Sequence, residues 1–243
     1  NAFTDKEYTG YWFKVANNKL HKALNILSDM LFNSLFAPEE IEREKGVIIE
    51  ELNMYEDNPR MHIEDVFEAC LYGDTPAGWE TIGTKKNIRS FKRQDFIDYL
   101  ESQYGAKSVY VIMAGGVKPG DKQLAEKLFH KLRDNKYLPR SVVVENQKVP
   151  QIKISYKKTD QTAISLGVRA FPVGHLDEFK LKLLSIILGG SMSSRLFINL
   201  RERNGLAYYV NTLTEAYFDS GYLTTQAGVP ASKIEKAIEI ILA

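Results

Sequence analysis

Ile41-Glu42-Arg43-Glu44-Lys45-Gly46-Val47-Ile48-Ile49-Glu50-Glu51-Leu52 is the stretch on which the reading of this chain turns. Pro38-Glu39-Glu40 precedes it, a proline in a first turn with acids behind it, so a helix is expected from there to about Tyr55. At 3.6 residues per turn, Glu44 and Glu51 are seven apart and point the same way. Ile41, Val47 and Ile48 share their stripe, so two carboxylates are expected within a face that should be buried. Glu42, Arg43, Lys45 and Glu50 then cover other faces. A carboxylate buried without a partner is costly, so such a pair meets a cation, a metal or, through a shared proton, each other. The alternative is a charged helix whose stripe edge is wet, and spacing alone leaves both readings open.

Working outward, Leu20, Leu24, Leu27 and Leu31 mark one face of a helix over 17–35, and a third helix is expected over 60–72. The loop 73–78 follows, and Ser90 is expected to N-cap a helix to about Gln103. Residues 107–114 read as a buried strand ending at Gly115-Gly116, with a helix over 120–134. Residues 135–150 are polar and hold Pro139 and Pro150, as a connection between domains would. Strands are expected at 152–157 and 162–170, helices at 174–188 and 192–203, strands at 206–216 and 220–228, and a last helix from Pro230. Gly189-Gly190 lacks the surroundings of a phosphate loop and reads as a close approach of two helices.

The chain also repeats itself. Asn1-Ala2-Phe3-Thr4, Gly10-Tyr11 and the run from Lys22 correspond to Asn211-Thr212-Leu213-Thr214, Gly221-Tyr222 and the run from Lys236. Asn211 lies 210 residues after Asn1 and Lys236 lies 214 after Lys22, so the spacing is nearly kept. Each copy is expected to be a strand pair feeding a helix. The expectation is therefore two related domains, 1–137 and 151–243, joined by a linker over 138–150. The front of the first and the back of the second are missing from this 243-residue sequence, which reads as a fragment.

Composition excludes some classes of function. Lys plus Arg is 32 against 31 for Asp plus Glu, a formal charge of +1, so neither nucleic acid nor an anionic membrane is expected as a partner. No apolar run approaches the roughly 20 residues that span a bilayer. Cys70 is the one cysteine, which rules out an intrachain disulfide and a cysteine-built metal site. No Ser/His/Asp or Cys/His set is present, and His21, His62, His130 and His175 lack a second His or a Glu at metal-binding spacing.

Glu42-Arg43-Glu44, Val47 and Glu51, followed by Asp57-Asn58-Pro59, resemble the distal signature of the pitrilysin/insulinase family of inverted-zincin metallopeptidases. That family includes the mitochondrial processing peptidases and their bacterial relatives. Other matches fall in order along the whole chain: Asn1-Ala2-Phe3-Thr4 with Tyr11-Trp12-Phe13, Gly83-Thr84, Gly189-Gly190-Ser191-Met192-Ser193-Ser194-Arg195-Leu196-Phe197, and Leu200-Arg201-Glu202-Arg203-Asn204-Gly205-Leu206-Ala207-Tyr208.

The resemblance implies an α+β fold of two homologous domains, each a mainly antiparallel sheet packed with helices on one side, both truncated in this chain. It also implies Zn2+ as cofactor, with Glu51 its third protein ligand and Glu44 the carboxylate that supports the site. The first two ligands would be histidines of an H-x-x-E-H helix upstream of residue 1. This chain alone is then expected to bind zinc weakly. Arg201 and Tyr208 would hold substrate backbone and the developing oxyanion, and Asn1, Ala2 and Phe3 would form an edge strand that pairs with extended peptide. The implied activity is a zinc-dependent endopeptidase of peptides or unfolded segments, pairing as a homodimer or heterodimer in a bacterial cytoplasm. Its rival is a non-catalytic core or partner subunit of the same fold.

Overall fold

The computed structural model describes residues 1–134 and 140–243. In chain order they form β1 (Ala2–Thr4), β2 (Thr9–Tyr11), α1 (Leu20–Phe32), α2 (Pro38–Asp57), α3 (Pro59–Tyr72), α4 (Lys85–Ser90), α5 (Arg93–Gln103) and α6 (Pro119–Phe129). Then come β3 (Thr162–Arg169), α7 (Glu178–Gly189), a π-helix (Phe197–Arg203), β4 (Tyr209–Ala216), β5 (Gly221–Val229) and α8 (Ile234–Leu242). The class is α+β with antiparallel sheets, as expected. Packing divides the chain into two units, Asn1–Glu50 with Gly83–Arg140, and Glu51–Ile82 with Ser141–Ala243.

In the first unit, β1 and β2 pair antiparallel in the register Ala2↔Tyr11, Phe3↔Gly10, Thr4↔Thr9. A 3₁₀ turn at Asn17–Lys19 leads into α1, which packs on α6. There the Phe32 and Phe129 rings meet at 6.0 Å, and the buried Asp121 carboxylate takes His21 Nε2 at 2.8 Å. The helix expected from Ser90 is instead two helices. Thr84 caps α4 through the Asn87 N–H at 3.2 Å, Asp95 caps α5 through the Lys92 N–H at 2.6 Å, and Ser90 ends α4 with its hydroxyl on the Asn87 carbonyl.

The second unit is built on the three-stranded sheet β3–β5–β4, antiparallel throughout. Strand alternation sends Ile164, Val210, Ala227 and Val229 to one face, where they pack with Leu196, Leu200, Leu206 and Ala237. Tyr217 and Tyr222 join Phe67 and Tyr72 of α3 in a second core on the opposite face. The sheet thus carries α7 and α8 on one face and α3 on the other. In the second core, Tyr217 and Tyr222 (the latter at 3.1 Å) both donate to the buried Glu68 carboxylate. Burial pushes both phenols far above the usual tyrosine range and lifts that of Tyr72 to about 12.

The repeat read from sequence is matched in element type: β4 and β5 form an antiparallel pair that runs through a 3₁₀ turn, Ala231–Lys233, into α8. Two expected strands are absent. Residues 107–114 and 152–157 have no strand partner among the described residues, and Tyr110, Ile112, Ile152, Ile154 and Tyr156 stand 83 to 92% exposed. The physical reason is that a strand is defined by a neighbour, not by its own alternation. Of the expected linker, 138 and 139 lie outside the described residues, and 140–150 hold no helix or strand.

Candidate functional site

Helix α2 is as long as its sequence suggests, but it rolls its acids outward. Up to Leu52 the buried or half-buried positions are Ile41, Lys45, Ile48, Ile49 and Leu52, spaced four, three, one and three apart, and Asn53 and Tyr55 follow as half-buried. Lys45 belongs to that face because its stem is covered, its side chain only 13% exposed, while its ammonium reaches the Glu42 carboxylate at 2.6 Å. Glu44, Val47, Glu51 and Met54 form a separate, exposed stripe. The expectation of a buried carboxylate pair is therefore corrected: the wet-edged alternative describes this helix. Among the described residues neither the Glu44 nor the Glu51 side chain has a hydrogen bond or ion pair.

The far end of α2 is tied down by a residue with no mark in the local sequence. Lys157 places its ammonium 2.7 Å from the Glu56 carbonyl and 2.7 Å from the Asp57 carboxylate, a cation at a helix C-terminus. Asn58 then starts α3 at once, its side chain accepting the Arg60 N–H at 3.1 Å with Pro59 in the first turn. That accounts locally for Asp57-Asn58-Pro59.

Arg201 and Tyr208 are brought together. Arg201 lies in the π-helix, a wide-turned form that recurs at functional sites. Gly205, at φ 57°, ends it: its N–H goes to the Arg201 carbonyl and the Leu206 N–H to Leu200, with Leu200 and Leu206 buried beneath. The reversed chain returns Tyr208 to Arg201, whose guanidinium donates to the Tyr208 carbonyl at 2.7 Å and sits 5.6 Å from its ring centre. Phe197 supports the same guanidinium at 5.1 Å. The Tyr208 N–H donates to the Gly228 carbonyl at 3.0 Å, so both main-chain groups of Tyr208 are held while its side chain is 70% exposed. A fixed cation and a phenolic donor thus share one exposed spot.

This platform needs α7 close to the sheet. A Cβ on Gly189 would stand 2.3 Å from Thr212 Oγ1 and 2.5 Å from its main-chain nitrogen. Gly189 therefore makes room for β4, not for a second helix as its sequence suggested.

Asn1, Ala2 and Phe3 lie in and beside β1. Asn1 exchanges both main-chain bonds with Trp12, at 2.9 and 3.1 Å, so Ala2 and Thr4 turn their N–H and C=O groups away from β2. Phe3 is exposed, its ring edge-on to Tyr8.

A carboxylate oxygen suits zinc, and exposed Glu51 offers one. Among the described residues no group of three His, Cys, Asp or Glu gathers to hold a metal ion. No helix among these residues is long and apolar enough to cross a membrane.

Comparison with known proteins follows the same lines. A family model described as Peptidase M16 inactive domain matches residues 90–243, and one described as Insulinase (Peptidase family M16) matches residues 1–85. The chain is 36% identical over 242 residues to the uncharacterized zinc protease YmxG of Bacillus subtilis, covering 99% of itself and 58% of that protein. It is 37% identical over 241 residues to an uncharacterized zinc protease of Rickettsia felis, covering 97% and 57%. Among solved structures, a protease from Helicobacter pylori matches with a TM-score of 0.85 at 22% identity, over 94% of this chain and 56% of that one. A peptidase M16 inactive domain from Pseudomonas fluorescens matches with 0.81 at 19%, over 93% and 55%. The two structural likenesses concern the fold. The chain spans little more than half the length of the curated relatives it matches, and by its family models and these relatives it belongs to the M16, or insulinase, family of peptidases.

Proposed function

We propose that the intact protein is a zinc-dependent endopeptidase acting on peptides or unfolded segments, and that this chain alone is inactive. One observation carries the proposal: the Arg201 guanidinium is fixed against Tyr208 by a 2.7 Å bond and a ring contact while the phenol stays exposed. Donors held in advance where charge develops on a peptide carbonyl are what acyl-transfer catalysis requires. Bound zinc supplies the activation of water. Glu51 contributes one ligand, and Glu44, one stripe position earlier on the same face of α2, supports it. The open edge of β1 at Ala2 and Thr4 suits an added peptide strand, with Asn1 and Phe3 beside it. The relatives' names, zinc proteases in both cases, support the metal. A division into domains 1–137 and 151–243 belongs to the same proposal, supported by the repeated strand-pair–turn–helix pattern.

The alternative is a non-catalytic subunit of the same fold. Metal analysis of the full-length protein, with cleavage of an unstructured peptide measured before and after chelation, separates the two. About one zinc per chain with chelator-sensitive cleavage is expected. Folded protein without zinc or cleavage refutes the enzyme.

A further inference from the structure

Tyr208 and Tyr209 are neighbours that point to opposite faces of the sheet. Tyr208 is exposed beside Arg201, whereas the Tyr209 ring lies across β5 on the α3 face, opposite Gly228 in the strand register. A Cβ on Gly228 would come within 2.4 Å of that ring, so the missing side chain is the ring's seat. The Arg60 guanidinium lies over the same ring, 4.8 Å from its centre. The Tyr209 hydroxyl is buried without a hydrogen-bond partner, so the ring and not the hydroxyl is what this place uses.

Two features make the clamp more than packing. Gly228 seats Tyr209 and also accepts the N–H of Tyr208 at 3.0 Å, so one residue fixes both tyrosines. Arg60 stands in the first turn of α3, directly after the Asn58 cap that follows α2, nine positions beyond Glu51. All of these residues belong to the second unit.

We infer that Arg60, Tyr209 and Gly228 are positioning residues: they clamp the start of β4 so that the Tyr208 phenol and the Arg201 guanidinium hold one geometry, and they tie that geometry to the helix pair carrying Glu51. The inference rests on the reading of Tyr208 given above. A cation–ring contact is individually weak at an exposed site. Catalysis is far more sensitive to placement, since a misplacement of about 1 Å costs up to about 100-fold.

The test uses the intact protein carrying Arg60→Ala, Arg60→Lys, Tyr209→Leu, Tyr209→Phe or Gly228→Ala, with Tyr208→Phe as reference. Hydrogen exchange at the Tyr208 amide reads the clamp without reference to activity, and zinc content and peptide-cleavage kinetics are measured beside it. Tyr209→Leu and Gly228→Ala are expected to speed that exchange and to lower kcat about tenfold, with zinc content unchanged and KM moving less. Arg60→Ala has a smaller effect in the same direction, Arg60→Lys restores part of it, and Tyr209→Phe behaves as the parent. Unchanged exchange in both Arg60→Ala and Tyr209→Leu overturns the clamp. Faster exchange with unchanged kcat, where Tyr208→Phe is itself impaired, overturns the positioning role. If Tyr208→Phe is fully active while exchange responds, the catalytic reading of Tyr208 fails and the clamp stands as a structural device.

Discussion

Helix α2 and the turn from the π-helix into β4 both present polar side chains to solvent, under opposite restraint. Glu44 and Glu51 project from a regular helix with no partner among the described residues. Arg201 and Tyr208 are held by hydrogen bonds, ring contacts and a buried leucine pair beneath the turn. A metal ligand gains its partner when the metal arrives, and until then an exposed, solvated carboxylate is the cheap resting state. A group meant to meet a fleeting transition-state charge gains nothing by waiting and is best fixed beforehand. The difference in restraint is what the two proposed roles would require.

The largest expected effect tests the unrestrained side. Glu51→Gln in the intact protein should remove zinc and activity together, with kcat/KM falling more than about 1,000-fold, and Glu44→Gln should weaken zinc binding by about 10–100-fold. Zinc retained at parental affinity in Glu51→Gln would remove this residue from the metal site. The restrained side should respond in the opposite pattern. Tyr208→Phe and Arg201→Ala each should lower kcat by about 100- to 1,000-fold with zinc content unchanged, as loss of one oxyanion donor does elsewhere. If either variant lost zinc, the division of labour between the two regions would be wrong.

How far each region could be read from sequence follows from the same contrast. The α2 helix was legible because its start signals and apolar period are local. Which face it buries was not, because Lys45 conceals its stem while showing its charge and so reads as a surface residue. Arg201 and Tyr208, seven apart, could be paired only through the family resemblance. Their meeting depends on a π-helix and a left-handed Gly205, neither of which leaves a periodic signal. Lys157 on Asp57 and His21 on Asp121 each join residues 100 positions apart, which no local pattern encodes. Residues 107–114 and 152–157 failed for the complementary reason, since their apolar alternation is genuine but strand pairing is supplied from elsewhere. The α+β class, the repeated strand-pair–helix pattern and the order of the remaining elements survived because they rest on many weak local signals that agree.

The restrained region can also be loosened without touching its functional groups. Gly189→Ala drives a methyl into Thr212 on β4, where it meets the hydroxyl at 2.3 Å and, at 2.5 Å, a main-chain nitrogen that cannot move alone. A destabilisation of about 1–3 kcal/mol is expected for such overpacking, read as a shift in the urea midpoint at constant slope. Zinc content should not change. A variant as stable as the parent would mean that α7 is free to lift from the sheet, and that the rigidity ascribed to Tyr208 is set by its own hydrogen bonds alone.

The smallest effect concerns a carboxylate that, unlike Glu44 and Glu51, is fully partnered. Asp121 accepts the Lys118 N–H at 2.7 Å as the cap of α6 and meets His21 Nε2 at 2.8 Å from α1. The Lys118 bond first, and the His21 bond after it, hold this carboxyl below its ordinary value of 3.8. A carboxyl depressed in the folded state stabilises above its unfolded value and loses that contribution as pH falls through the lower, folded one. Asp121→Asn should therefore be less stable than the parent at neutral pH by an amount that stays constant down to about pH 5 and shrinks below it. Urea midpoints of both proteins along an acid series measure the gap. Should the gap stay constant to the acid limit, the Asp121 charge contributes nothing beyond its hydrogen-bond geometry. The α1–α6 contact would then rest on the Phe32–Phe129 pair rather than on a restrained carboxylate.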